Sequence, residues 1–457
     1  MASRGTRCYL AFDWALVGSD RLNRPADIMK HVRSLKTSWV STVRTEEYRF
    51  YQKVMDRRTS ETGPFFLATA LAGGCFEDSA QNFIATRVLP AFRPKYDRRI
   101  NWLLMKEVGR DLGTFTDGNE LTQVIHDIAI TLKTLSQFKI LHRDISVNNV
   151  LIDVVERRGL LIDLDLALDL AETPTESRPA ITGTDYFISI AFDNDGGPHH
   201  TFLHDLESLY WTALYIAIRH KPDVQVEISD RIFRLADARS RSSCLQRIFP
   251  KGRLEFLERG TLLGQDIALK NYINSLGGVY RSVYSLVAHV DRYMRRLLNT
   301  VLNTVLDSDL EMELSAVLPQ LQTYRNEDLH ELTTKDALQE HVEELLKCGK
   351  RLESIPPDDD LGFTTEELGE ISARRTEVES MLSQIRFPDF ETCIQVLNKA
   401  LVDSKRKPGA GAIPYSPPRR TQPKEQLRHG VGKTTSMSHQ ELVRSTSRKR
   451  TIAESIG

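Results

Sequence analysis

Ile140-Leu141-His142-Arg143-Asp144-Ile145-Ser146-Val147-Asn148-Asn149 is a polar loop entered from an apolar pair and left into another apolar run, Val150-Leu151-Ile152. Asp144 is followed five residues later by Asn149, directly before that run. Two oxygen-bearing side chains therefore meet at one loop mouth. Val150-Leu151-Ile152 and Leu160-Leu161-Ile162 flank the polar turn Glu156-Arg157-Arg158-Gly159, which predicts two short buried strands in a hairpin. The second strand runs into Asp163-Leu164-Asp165, so another carboxylate stands at its exit. Upstream, Leu121, Val124, Ile125, Ile128, Leu132 and Leu135 recur at helical spacing. They predict a helix over 119–138, with Asp117 and Glu120 as its capping pair.

This grouping suits phosphoryl transfer from ATP. A carboxylate is needed to orient an attacking hydroxyl and accept its proton, and an amide oxygen with a second carboxylate to hold Mg²⁺ against the phosphates.

Composition narrows the alternatives. The chain has 457 residues, with 61 Lys+Arg against 62 Asp+Glu and a formal charge of −1. That balance gives no global field to recruit nucleic acid or a membrane surface. No apolar run approaches the roughly 18–20 residues of a membrane span, and the first seven residues hold no apolar signal core. Cys8, Cys75, Cys244, Cys348 and Cys393 are scattered singly, without a CxxC pair. Such a set fits reduced thiols in an intracellular protein, cytoplasmic or nuclear. The charge is unevenly spread. Residues 307–380 carry 20 acidic and 7 basic side chains, whereas 404–457 carry 12 basic and 3 acidic ones. The last segment is rich in Pro, Gly, Ser and Arg and predicts disorder. Helices are expected over 203–218 and 381–403, and helical pattern from 266 to about 350. The acidic region 320–380 is expected to be part loop or mobile helix, presenting a solvated face.

The loop from His142 to Asn149, with Asp163, resembles the catalytic loop and metal-binding segment of protein kinases. His142-Arg143-Asp144-Ile145-Ser146, the hairpin, Leu161-Ile162-Asp163-Leu164-Asp165-Leu166-Ala167, Thr182-Gly183-Thr184 and His204-Asp205-Leu206-Glu207-Ser208 together resemble the fungal-type protein kinase family. The resemblance covers about residues 3–220. It implies an α+β, bilobal kinase-like fold with ATP and Mg²⁺ as cofactors and a protein as substrate. The small β-rich lobe would cover 1–105, incomplete at its start, and the larger, mainly α lobe 106–300. A helical acidic extension over 301–403 and a disordered basic tail over 404–457 would follow. Oligomeric state is left open.

Carried residue by residue, the resemblance makes Asp144 the base or hydroxyl-orienting group and Asn149 and Asp163 the metal ligands. His142 becomes a structural loop residue. Arg143 becomes the cation that pairs with a phosphorylated activation segment, a segment that holds Thr173, Thr175, Ser177, Thr182 and Thr184. The Thr184 hydroxyl would reach Asp144, and Asp205 would cap its helix and anchor the loop backbone. Leu35-Lys36-Thr37-Ser38-Trp39 looks like the family's lysine segment, giving Lys36 the α/β-phosphates. Glu47 begins a helix with apolar residues at +3 and +4 and is the carboxylate that would fix Lys36; Glu46 would turn Arg49 inward. Tyr51, Leu164 and His142 would stack as an apolar column on Asp205. Gly5 is what remains of the glycines in a phosphate loop. Met105, Glu107 and Val108 look like the hinge that meets adenine.

Four departures bear on activity. Ser146 stands where Ser/Thr kinases carry a lysine. Asp165 replaces the glycine of D-F-G. Ser189-Ile190-Ala191 offers no Glu for a buried Arg–Glu pair, and the glycine loop is eroded. The reading is a Ser/Thr-type protein kinase. The alternatives are a catalytically impaired pseudokinase acting as a scaffold and a small-molecule phosphotransferase.

Overall fold

The computed structural model describes residues 6–12, 28, 31–42, 44–77, 98–172, 183–184, 187–189, 200–219, 267–303, 335–354 and 364–406, all in one compact unit. Gly5, Thr173, Thr175, Ser177, Thr182 and the tail beyond residue 406 lie outside them.

The amino-terminal part is a sheet with one helix. Strands β1 (Arg7–Phe12) and β2 (Val32–Ser41) precede helix α1 (Glu47–Arg57), and β3 (Ala70–Cys75) and β4 (Arg98–Met105) follow it. The sheet order is β1-β2-β4-β3, antiparallel throughout. Alternation along β2 puts Lys36, Ser38 and Val40 on the buried face. Helix α1 buries Glu47, Phe50, Tyr51 and Val54, a stripe at 3, 4 and 7 residues that faces the sheet and the core.

The remainder is mainly helical. Strand β5 (Gly109–Asp111) leads into α2 (Gly118–Gln137). The Asp117 carboxylate accepts from the Glu120 amide at 2.9 Å and so caps α2. Glu120 returns its own side chain to the Thr116 amide, one residue earlier than a reciprocal capping box requires. The predicted apolar face of α2 is fully buried. Then come β6 (Ile140–Leu141), β7 (Val150–Asp153), β8 (Gly159–Leu161) and β9 (Leu168–Asp169). Strands β7 and β8 form the predicted hairpin, β5 joins β7, and β6 pairs with β9. Gly159 has to be glycine: a Cβ there would lie 2.8 Å from both the Asp127 Cβ and the Val124 carbonyl on α2.

Helices α3 (Phe202–Arg219) and α4 (Ile267–Asn303) complete the core around α2. Two of the remaining helices, α5 (Lys335–Glu353) and α6 (Thr365–Gln384), form a second core with α4 around Val290, Tyr293, Leu345 and Val378. The last, α7 (Phe390–Arg406), buries Cys393 and Leu397 in the same core as α2.

One expectation changes here. Residues 381–403 are not one helix. Helix α6 ends at Gln384, and the chain is extended at Ile385. Helix α7 then restarts after Pro388, where the Asp389 carboxylate accepts from the Thr392 amide. A proline disfavours helical backbone in the residue before it. The described residues of the acidic region lie almost wholly in helices α5 and α6. Thr364 and Glu367 form a full capping box, and Arg375 pairs with Glu353 and Glu379. Among the described residues no helix is long and apolar enough to cross a membrane.

Candidate functional site

Three separate segments converge on one ammonium group. Lys36 on β2 is 5% exposed, and its Nζ lies 2.7 Å from Glu47 Oε2 on α1. It lies 2.9 Å from Asp163 Oδ1 and 3.5 Å from Asp165 Oδ2, both just beyond β8. The other Glu47 oxygen accepts from the Leu164 amide at 3.1 Å, and the Tyr51 hydroxyl accepts from the Asp163 amide at 3.1 Å. One turn of α1 thus holds both the lysine and the segment after β8.

The electrostatics follow from three acids sharing one base. Burial alone would lower the Lys36 pKa, but Glu47, Asp163 and Asp165 outweigh it and hold it well above the ordinary value. Burial acts to raise the Glu47 carboxyl against the pull of Lys36. At Asp163 burial also acts upward, but Lys36 wins and the pKa is lowered. Asp163 has φ 72° and Arg143 φ 69°, in the left-handed region that costs non-glycine residues energy and recurs at functional sites.

The loop from His142 to Asn149 is suspended from Asp205. One Asp205 oxygen accepts from the His142 amide at 2.9 Å and the other from the Arg143 amide at 3.0 Å. His200 Nε2 adds a contact at 2.8 Å. His142 is wholly buried; its Nε2 donates to the Ile162 carbonyl at 3.0 Å while Nδ1 accepts from the Asp144 amide. The Ile162 amide donates back to the Asn149 carbonyl at 3.0 Å. These bonds clip the loop to the strand that ends at Asp163.

Asp144 is gripped from two sides. Thr184 Oγ1 donates to Oδ1 at 2.7 Å, and Asn149 Nδ2 donates to Oδ2 at 3.1 Å and to the Asp144 carbonyl at 2.7 Å. Gly183, before Thr184, has φ 139°, and a Cβ there would lie 3.0 Å from the Arg143 carbonyl. Asn149 Oδ1 and the Asp163 carboxylate are hard oxygen donors of the kind Mg²⁺ takes, so the donor set fits that ion.

The structure therefore brings together Lys36, Glu47, Asp163 and, separately clipped to them, His142, Asp144, Asn149, Thr184 and Asp205. Tyr51, Leu164 and His142 are all buried, but Tyr51 also uses its hydroxyl. The hinge is partly committed inside the protein. Glu107 accepts from the Thr69 amide at 2.7 Å and the Thr69 hydroxyl at 3.0 Å, and its carbonyl takes the Ser34 hydroxyl. The Val108 carbonyl accepts from the Val154 amide, and Met105 is buried at the end of β4. The Glu107 carboxylate is thus turned to Thr69. Sequence reasoning missed the Asp165 contact to Lys36. The signal was present in the Asp163-Leu164-Asp165 spacing, which can turn both carboxylates to one side.

A family model described as "Fungal protein kinase" matches residues 68–217. Over those residues the chain is similar to fungal-type protein kinases. The match spans the catalytic-type loop, Asp163, Thr184 and Asp205, while Lys36 and Glu47 lie before it. Among the described residues the sheet-and-helix amino-terminal part and the mainly helical remainder make an α+β arrangement. A solved structure of vaccinia related kinase 3 is similar at 15% identity and a TM-score of 0.33, covering 48% of this chain. The chain spans 65% of that structure's chain, just under two thirds of its length. No curated protein matches it.

Proposed function

We propose that the chain transfers the γ-phosphate of MgATP to Ser or Thr hydroxyls of a protein substrate. The family match over residues 68–217 supports the coarser part, a protein kinase-like transferase. The observation that supports the finer part is the Asp144 carboxylate held by Thr184 and Asn149 on a loop hung from Asp205. Asp144 is half-buried and held in a fixed orientation, which is what aiming an incoming hydroxyl and taking its proton require. Lys36, set by Glu47, presents its ammonium to the non-transferred phosphates. Asn149 and Asp163 would hold Mg²⁺, which when bound neutralises phosphate charge. Thr184 favours a protein acceptor, since it ties Asp144 to the segment that presents a polypeptide. Adenine is assigned to the backbone of 105–108, and the phosphates to the stretch of sequence around Gly5, which lies outside the described residues.

One observation favours a second reading, a catalytically impaired scaffold. Ser146 is 1% exposed and its hydroxyl has no partner among the described residues. It turns into the protein and supplies no cation where a lysine would neutralise the transferring group. Radiolabel transfer from MgATP to a protein panel separates the two. The kinase reading expects transfer by the wild type and a loss of about 10²–10⁴-fold in Asp144→Ala. Absence of transfer by the wild type overturns it.

A further inference from the structure

Helix α1 carries two basic residues that the site above does not use. Lys53 and Arg57, four residues apart, lie on one face toward β9. Arg57 grips Asp169 with both guanidinium nitrogens, at 2.6 Å to Oδ2 and 3.2 Å to Oδ1, and donates to the Phe138 carbonyl. Lys53 lies 3.2 Å from the same carboxylate and also pairs with Glu172. Asp169 is 3% exposed, and Oδ1 also accepts from the Ala171 amide. Burial acts to raise its pKa, but Arg57, the Ala171 amide and Lys53 hold the carboxyl below its usual value.

The topology gives this contact its consequence. Asp169 pairs with Ile140 across β6 and β9, directly before the loop of His142 and Asp144. Helix α1 is therefore pinned at two points to the segment beyond β8. At its start Glu47 and Tyr51 take the Leu164 and Asp163 amides. At its end Arg57 and Lys53 take Asp169. A helix held only at its start could pivot about Glu47 and lose the Lys36 contact; the second pin removes that freedom.

We infer that Asp169 is a positioning residue, which locks the end of α1 and so fixes the Lys36–Glu47 pair. The consequence for turnover rests on the kinase reading; the lock itself does not. The bidentate guanidinium geometry makes the contact directional as well as charged. The Asp163 and Leu164 amides report it directly, because their acceptors belong to α1.

The test is amide hydrogen exchange at Asp163 and Leu164 in the full chain, with kcat and KM for ATP measured alongside. Asp169→Asn, which keeps shape and removes charge, is expected to speed exchange of both amides by about tenfold or more. It should lower kcat/KM by about a hundredfold, and Asp169→Glu should regain most of both. Exchange within about twofold of wild type at these amides in Asp169→Asn overturns the lock. If Asp169→Asn does not fold, Arg57→Gln, a change at a partly exposed residue, gives the same readout and the same criterion. A wild type without phosphoryl transfer would refute the kinase reading, while the exchange data would still decide the lock.

Discussion

Replacing Lys36 with methionine should destabilise the protein far more than replacing Glu47 with glutamine, although both break the same ion pair. The reason is the count of charges left behind. Glu47→Gln leaves the ammonium with Asp163 at 2.9 Å and Asp165 at 3.5 Å. Lys36→Met leaves Glu47, Asp163 and Asp165 with ligand oxygens within 4.8 Å of one another and no cation among them. At an effective dielectric of about 20, each like-charge pair at that range costs about 3–4 kcal/mol. Proton uptake caps the cost: forcing a proton onto a carboxyl with an ordinary pKa of about 4 costs about 5 kcal/mol at pH 8. The expected loss for Lys36→Met is therefore about 3–5 kcal/mol at pH 8. For Glu47→Gln it is about 1 kcal/mol. The pH dependence carries the sign. Lys36 now lowers the Asp163 pKa, so without it that carboxyl rises and the folded variant binds one more proton than wild type. Stability of a state that binds extra protons falls as pH rises, by up to about 1.4 kcal/mol per pH unit. Urea unfolding of both variants at pH 5.5 and 8 measures this. A Lys36→Met cost equal at the two pH values, or no larger than that of Glu47→Gln, would refute the reasoning.

Two further outcomes test the frame around the site. Leu397 on α7 is fully buried in the main core, so Leu397→Ala should cost about 2–5 kcal/mol by urea unfolding; a cost near zero would make α7 an appendage. Glu120 is buried, and burial acts upward on its pKa, but Arg110, the Thr116 amide and Arg157 hold the carboxyl down to about 2. With Arg157 largely exposed, its contribution is about 1–2 kcal/mol. It is present in full above the unfolded carboxylate's pKa of about 4.3 and lost as pH falls through about 2. Acid unfolding of Glu120→Gln against wild type should show a gap that closes over that window; a gap independent of pH would count against the pairing.

Local features were legible in the sequence. The Asp144–Asn149 spacing, the helical stripe over 119–138 and the hairpin at 150–162 each depend on neighbours in the chain, and the structure keeps all three. Glu47 could be chosen over Glu46 because only one leaves Phe50 and Tyr51 on the buried face. Pairings across distance were not legible. Lys53 and Arg57 meet Asp169 across more than a hundred residues, and no local pattern marks an acid that will be buried between two bases. That the Glu107 carboxylate turns to Thr69 depends on how β3 and β4 pair. The break at Pro388-Asp389 was visible in the sequence but was outweighed by the apolar period on either side.

The central claim is that Lys36, Asn149 and Asp163 hold magnesium nucleotide. Thermal unfolding of the whole chain with millimolar ATP, with and without Mg²⁺, tests it most directly. A ligand at about a hundred times its Kd adds about 2.7 kcal/mol to the folded state, so the melting temperature should rise by several degrees with MgATP. The rise should be absent in Asp163→Asn. An unchanged melting temperature for the wild type at millimolar MgATP would contradict the account.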